Sequence, residues 1–385
     1  MNLRISERHG RVSKRRLRRA LTFAVALTWA SLLALIPEGA MAQGATPAPL
    51  KKVRIAVGTR VLSVAYPWLT MPTALGYWKA EGYDVQVMPV GGSLEAIQQL
   101  VAGNVDFVQV NSAVIVQANA NNKLALRSVL LSTVNDWSVV ALEDGPIRDF
   151  KDFKGKVIGV PALSTGGLPL LKEYLRANGL DADKDVSIVA VGFGAPALEA
   201  IRSNKVQGLL FFQAALTGFE NAGAKFKYFH GADWRQQPDF TLATTQKLID
   251  TDPAMVEAVA RGALKGVVFS MASPDCTRRV QWKTWPDTKP SGAVDDETKA
   301  RWDLANLGAQ QNSMKEAMAL SGGKLWGYYT PEEYTRLQDF MLHADLIKSK
   351  LPSESYIVAI PGFFEKVNAF DQAAIKEQAQ ACAGY

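Results

Sequence analysis

Two segments of this 385-residue chain set small, unhindered backbone beside the start of a helix. The first is Val90-Gly91-Gly92-Ser93-Leu94-Glu95-Ala96-Ile97, running on to Asp106-Phe107. The second is Val191-Gly192-Phe193-Gly194-Ala195-Pro196-Ala197-Leu198-Glu199-Ala200-Ile201, running on to Val206-Gln207. Both carry Leu-Glu-Ala-Ile after the glycines. A glycine loop lets backbone come close to a small molecule, and the N–H groups at a helix start are free donors. That is chemistry for holding a ligand. Two related lobes facing each other across a cleft would bring both loops to one cargo.

Residues for turnover are sparse. The histidines are His9, His230 and His343, and neither of the last two has metal-ligand spacing to the other or to a cysteine. The sequence holds no Gly-x-Ser-x-Gly, no phosphate-loop lysine motif and no dinucleotide fingerprint. Glu95 and Asp106 are a nominal carboxylate pair, but they read as helix-start and strand-end surface. The expectation is a protein that is not an enzyme and has no cofactor and no metal.

The first forty-two residues read as an export signal. Eight basic residues (Arg4 to Arg19) precede an apolar run from Ala20 to Ile36, then Pro37 and Ala40-Met41-Ala42, which places cleavage after Ala42. A spanning helix needs ~20 apolar residues, so an uncleaved anchor is the weaker reading. Arg18-Arg19 loosely matches a twin-arginine signal and leaves the export route open. The chain has 43 Lys+Arg and 37 Asp+Glu; the signal carries 8 and 2 of them, leaving 35 of each sign in the 343 mature residues. The basic balance belongs to the discarded segment, and no nucleic-acid partner is expected. Cys276 and Cys382 survive processing, and in an oxidising compartment such a pair usually joins.

The elements that must position the loops alternate. A small, proline-containing leader (43–50) is expected to be disordered. A strand at 53–58, a loop to about Trp68, a helix over 74–82 stopped by Gly82, and a strand at 83–88 lead into the first glycine loop. Strands at 105–110, 126–132 and 137–142 follow. Such alternation argues for mainly parallel α/β sheets. The polar stretch Glu143-Asp144-Gly145-Pro146 marks the expected crossing into a second lobe, giving 51–142 as the first part of lobe 1 and 143–235 as lobe 2. Residues 236–385 return to lobe 1, with a crossing between His230 and Thr244. Asp252-Pro253 opens a long helix to about Met271. Residues 272–296 read as an irregular connector. Helices are then expected at 297–307, 313–320 and 330–344, the last with a capping-box start at Thr330-Pro331-Glu332-Glu333.

With these elements placed, the chain resembles periplasmic solute-binding proteins of ABC importers. More narrowly, it resembles the group holding sulfonate, taurine and nitrate binders and the thiamine-precursor binders related to yeast pyrimidine synthase. The segments that carry the resemblance are Gly76-Tyr77-Trp78-Lys79-Ala80-Glu81-Gly82, Gly91-Gly92-Ser93 through Asp106, Phe150 to Lys156 with Ile158-Gly159-Val160, and Val191 through Val206. Where the second half of the pattern has Gly-x-Val-Asp-Ala, this chain has Asn204-Lys205-Val206-Gln207-Gly208 and lacks the aspartate.

The resemblance implies a type II periplasmic binding protein fold: two Rossmann-like lobes, a two-strand hinge, and extra C-terminal helices on the first lobe. It implies a ligand between the lobes, at the carboxyl ends of the strands. Carried over by position, the ligand set is Leu62, Ala65, Tyr66, Ser93, Asn111, Ser112, Trp137, Ser164, Thr165, Gly166, Gly167, Phe193, Gly194 and Gln213. Ser93, Ser164 and Thr165 could cradle a carboxylate or sulfonate, while ordinary N-capping explains Ser93 and Thr165 equally well. Trp137 and Phe193 could sandwich a flat cargo or simply pack the core. Gln213 follows an apolar strand, and a buried amide needs a partner. Arg60 is the nearest arginine, with a solvated loop charge as the plain alternative.

The expected function is capture of a sulfonate, carboxylate or heteroaromatic solute by a monomer in the periplasm, for delivery to an ABC permease in the inner membrane. The alternatives are a sensor that presents its closed form to a membrane receptor and, behind it, an enzyme like the thiamine-pyrimidine synthase. The absence of a cysteine cluster argues against the enzyme.

Overall fold

In the computed structural model, residues 49–231 and 234–385 are described. The expected signal peptide at 1–42 and nearly all of the leader at 43–50 lie outside the described residues.

The first sheet is built from β1 (Lys51–Val57), α1 (Pro67–Ala74), α2 (Tyr77–Ala80), β2 (Tyr83–Pro89), α3 (Ser93–Val101), β3 (Phe107–Asn111), α4 (Ser112–Asn122) and β4 (Leu126–Leu131). The second comprises β5 (Trp137–Leu142), β6 (Val157–Val160), α5 (Leu168–Ala177), β7 (Ser187–Ala190), α6 (Ala195–Arg202), β8 (Gly208–Phe212), α7 (Gln213–Asn221) and β9 (Phe226–Phe229). The chain then returns through β10 (Phe240–Thr245), α8 (Gln246–Thr251) and α9 (Pro253–Ala272). It ends in α10 (Pro274–Thr284), α11 (Asp296–Leu320), α12 (Pro331–His343), α13 (Phe363–Asn368) and α14 (Gln372–Ala381).

Among the described residues there are two five-stranded sheets, ordered β2-β1-β3-β10-β4 and β7-β6-β8-β5-β9. The orders are the same pattern written twice. In each sheet one strand runs antiparallel to both neighbours: β10 between β3 and β4, and β5 between β8 and β9. Each is the strand that has just crossed from the other lobe, so it enters against the direction of its hosts. The sheets are therefore mixed, but in each the other four strands run the same way, which is the mainly parallel arrangement that the alternation predicted. β5 already belongs to the second sheet, so the chain crosses between Leu131 and Trp137, ahead of the polar stretch at 143–146. The two crossings lie side by side, joined by an isolated antiparallel bridge between Val134 and Pro238.

The two glycine loops follow β2 and β7, the corresponding edge strands of the two sheets. Apolar residues of β1, β3 and β4 (Val53, Ile55, Phe107, Val129) are fully buried beneath the helices of the first lobe. Leu209, Phe211 and Leu216 do the same in the second.

Three helical expectations need correction. The first helix begins at Pro67, because proline at a first helical turn gives up no needed N–H. A separate short α2 then ends ahead of Gly82. Within 272–296 lies α10: Ser273 accepts the Cys276 N–H at 3.4 Å and Pro274 takes the first turn, so a loop-like composition is a helix start. The two helices expected at 297–307 and 313–320 are one continuous helix, α11, running through Gly308. The capping box at Thr330 forms, with the Thr330 N–H donating to Glu333 Oε2 at 2.9 Å.

The C-terminal helices pack on the first lobe. Tyr334 in α12 donates to Ser112 Oγ at 3.3 Å, and Tyr77 donates to Gln378 in α14 at 2.7 Å. A disulfide joins Cys276 in α10 to Cys382, the residue that ends α14. α11 also lies along α7 of the second lobe, and α12 touches α5 of that lobe more lightly.

Candidate ligand-binding site

The site is assembled where β-strand ends from both lobes meet the two crossings. Ser93, fully buried, donates from its hydroxyl to Asn111 Oδ1 at 2.9 Å and accepts the Asn111 N–H at 3.2 Å. The Asn111 amide then donates to one carboxyl oxygen of Asp239. The Trp137 indole N–H donates to the other, at 3.0 Å. Asp239 thus links β3 of the first lobe to β5 of the second from its own place on the returning crossing. Its main-chain carbonyl accepts both the N–H (2.9 Å) and the hydroxyl (2.7 Å) of Ser112.

The electrostatics follow from burial. The Asp239 carboxyl is pushed well above the usual carboxylate range, chiefly by desolvation and then by the charge of Asp136. Asp136, 2% exposed, is pushed up to about 6 by desolvation. Its carboxyl receives the Gln213 N–H at the start of α7 at 3.5 Å, and the Arg235 charge opposes the shift. Tyr66 is buried beside this pair, and desolvation raises its phenol. Tyr174 accepts from the Asn135 amide at 2.9 Å. Trp137, Phe212 and Phe240 form a buried aromatic group, with centroids 5.5 to 6.3 Å apart.

The lobes touch through glycines. The Leu94 N–H at the start of α3 donates to the carbonyl of Ser164 across the cleft at 3.2 Å. A Cβ on Gly92 would stand 2.4 Å from that carbonyl oxygen; one on Gly166, 1.7 Å from Asn111 Oδ1; and one on Gly167, 2.3 Å from the Trp137 ring. Side chains at Gly92 or Gly166 would hold the lobes apart, while the Gly167–Trp137 approach lies within the second lobe and seats that ring against the loop before α5. At the second repeat the glycines serve a different end. Gly192 and Gly194 have φ of +79° and +66°, which favours glycine, and Gly194 is exposed.

The structure thus brings together Tyr66, Ser93, Asn111, Ser112, Trp137, Ser164, Gly166 and Gly167. Ala65 is buried beside Tyr66, and the Leu62 carbonyl accepts from Gln281 at 3.0 Å. Thr165 is buried, and its carbonyl accepts the Leu168 N–H at 3.3 Å. Neither Ser93 nor Thr165 caps a helix through its side chain; the N-cap positions are Gly92 and Gly167. Phe193 turns its edge onto Phe211 within the second lobe, at 6.4 Å. The Gln213 amide reaches Tyr228 Oη at 3.5 Å. Glu95 and Asp106 are held inside their own lobe, accepting the N–H groups of Gly91 (2.9 Å) and Arg54 (2.8 Å). Arg60 is exposed.

Asp136 and Asp239 are the residues that sequence reasoning missed. Their only signal is an aspartate directly before an apolar strand, Asp136 before β5 and Asp239 before β10.

Comparison with known proteins follows the same lines. The chain is 21% identical over 325 residues to a riboflavin-binding protein, RibY, of Chloroflexus aurantiacus, covering 82% of this chain and 87% of the relative. Its structure is similar to that of the alkanesulfonate-binding protein SsuA from Xanthomonas axonopodis bound to MOPS. There the TM-score is 0.61 at 12% identity, over 80% of this chain and 99% of that one. The periplasmic aliphatic sulphonate-binding protein SsuA from Escherichia coli gives a TM-score of 0.58 at 14% identity, over 80% and 92%. These likenesses show a periplasmic binding protein fold. The family model described as NMT1/THI5 like matches residues 69–277, more than half of the chain, and the protein belongs to that family.

Proposed function

We propose that this protein captures a small organic solute between its lobes and delivers it to the permease of an ABC importer. It works as a secreted periplasmic monomer and not as an enzyme. The observation that carries the reading is the meeting of the lobes: Ser164 of one accepts a helix-start N–H from the other, above a buried floor of Asn111, Asp239 and Trp137. Lobes that close on a cargo need such a surface. Leu62, Ala65, Tyr66, Thr165, Phe193, Gly194 and Gln213 complete the proposed ligand set.

Of the three cargo chemistries, the floor favours a heteroaromatic. Trp137, Phe212 and Phe240 line the floor with aromatic rings, and Asp136 keeps acceptor capacity for an N–H donor beyond the long 3.5 Å bond from Gln213. Donors that an anion would use are taken: Leu94 N–H by Ser164, Gly91 N–H by Glu95, and the Trp137 indole by Asp239.

A thermal-shift screen of the mature protein tests this, with sulfonates, nitrate, aromatic acids, pyrimidines, amino acids and flavins. Flavins are included because the C. aurantiacus relative is named a riboflavin-binding protein. A true cargo at a hundredfold excess over Kd adds about 2.7 kcal/mol of stability. Hits among heteroaromatics support the reading, hits confined to anions overturn the cargo preference, and no hit from any class overturns small-solute capture.

A further inference from the structure

α11 is bonded to three parts of the molecule at once. It is fixed to the first lobe by Gln311, whose amide donates to Ser270 in α9 at 2.8 Å, and by Asp303, which accepts the indole N–H of Trp282 in α10 at 2.6 Å. It is fixed to the crossings by Ser313, which donates to the Val134 carbonyl at 3.1 Å, and by Glu316, ion-paired with Arg235. Its outer half meets the second lobe. The Asn221 amide, at the end of α7, donates to the Trp302 carbonyl at 3.1 Å and to Asn306 Oδ1 at 3.2 Å. Gly218 faces the same asparagine, so that a Cβ there would stand 3.7 Å from its amide nitrogen.

We propose that α11 is a latch: an arm of the first lobe that grips α7 and holds the lobes together through a contact outside the ligand site. The lever is in the geometry. α7 begins at Gln213, whose N–H is bonded to Asp136 at the crossing, and ends at Asn221. Eight residues of helix put Asn221 ~12 Å farther from the pivot. A hinge rotation of roughly 20° then carries it ~4 Å, beyond hydrogen-bond reach of Trp302 and Asn306. Opening the cleft therefore requires releasing the latch, whichever solute is bound. The strength of this contact sets how far the lobes stay closed without cargo.

The test needs no ligand. Leu94→Cys and Leu163→Cys place spin labels on exposed positions of opposite lobes, 48% and 59% accessible, beside the Leu94–Ser164 contact. The native cysteines are bonded to each other and do not react. Dipolar broadening of the continuous-wave spectrum reports the closed fraction. With the latch intact a broadened component is expected. Asn221→Ala and Asn306→Ala, made separately and together, should lower the closed-to-open ratio at least threefold, with far-UV circular dichroism unchanged. Gly218→Leu, a steric wedge that removes no hydrogen bond, should do the same if the alanine variants fold poorly. Equal broadening in the parent and every folded variant overturns the latch, as does a parent with no broadened component.

Discussion

Gly166 of the second lobe lies so close to Asn111 of the first that a single added carbon would stand 1.7 Å from the Asn111 side-chain oxygen. Asn111 cannot easily yield, because Ser93 and Asp239 hold the same side chain in place. Gly166→Ala should therefore leave each lobe folded and keep the two apart. Small-angle scattering should give a larger radius of gyration than the parent, with unchanged circular dichroism, and any cargo from the screen should bind at least tenfold more weakly. A variant that scatters like the parent and binds normally would show that the loops do not meet in this way.

Asp239→Ala strands two buried donors, the Asn111 amide and the Trp137 indole. At about 1–3 kcal/mol for each unpaired group, the loss should come to about 2–6 kcal/mol in urea unfolding. Asp239→Asn keeps the shape and one acceptor oxygen, and should fall between the two. If alanine costs no more than asparagine, the carboxyl does not bridge the lobes.

Asp136 makes a pH prediction whose sign is fixed. Its folded value, about 6, lies above the ordinary 3.8, so the folded state holds the proton more tightly than the unfolded chain. That contribution is complete below about pH 4 and is lost as pH rises through about 6, with a ceiling of about 3 kcal/mol. The groups facing it are Arg235, Glu316, Ser313, Gln213 and Asp239. Asp136→Asn should lack this dependence, so its stability relative to the parent should rise between pH 4 and 6 and level off above. Melting curves of the two proteins across that range check it; parallel curves would refute it.

The Cys276–Cys382 bond closes a loop of 106 residues. Chain-entropy estimates for a loop of that size give about 4–5 kcal/mol. Replacing both cysteines by serine should lower the melting temperature by roughly 5–10 °C while leaving the lobes and cargo affinity intact. Unchanged melting would mean that α14 is held by Tyr77 and its apolar contacts alone.

Much of the fold could be read because its signals are local. The strand–glycine–helix alternation marks β2 with α3 and β7 with α6, and the repeat places them at matching edges of two sheets. Where the reading failed, two local signals pulled against each other. Pro67 and Pro274 look like loop residues but occupy first helical turns. Gly308 looks like a break, yet α11 runs through it, held on both sides by Asp303, Gln311 and Ser313. A Cβ at Gly308 meets nothing within 4 Å, so Gly308→Ala should add about 0.5–1 kcal/mol, readable by thermal melting. The site was legible only in part for a different reason. Asn111 and Trp137 sit at ends of recognisable strands, and Ser93 opens the helix after the first glycine loop. Asp136 and Asp239 are buried only because two distant crossings lie side by side, and no spacing in the sequence records that.

The crossings also impose an order on synthesis. The second sheet is one uninterrupted stretch of chain, from Trp137 to Phe229, and every strand it needs has been made once β9 exists. The first sheet cannot close around β10 until Thr245 has been added, and its last helix is fastened only when Cys382, near the final residue, becomes available. In a chain made from its amino end, the lobe begun first is finished last. Once β9 has emerged from the ribosome and before β10 has, the nascent chain holds every strand of the second sheet beside a first sheet still missing its fourth strand in spatial order, with β3 and β4 unpaired to each other.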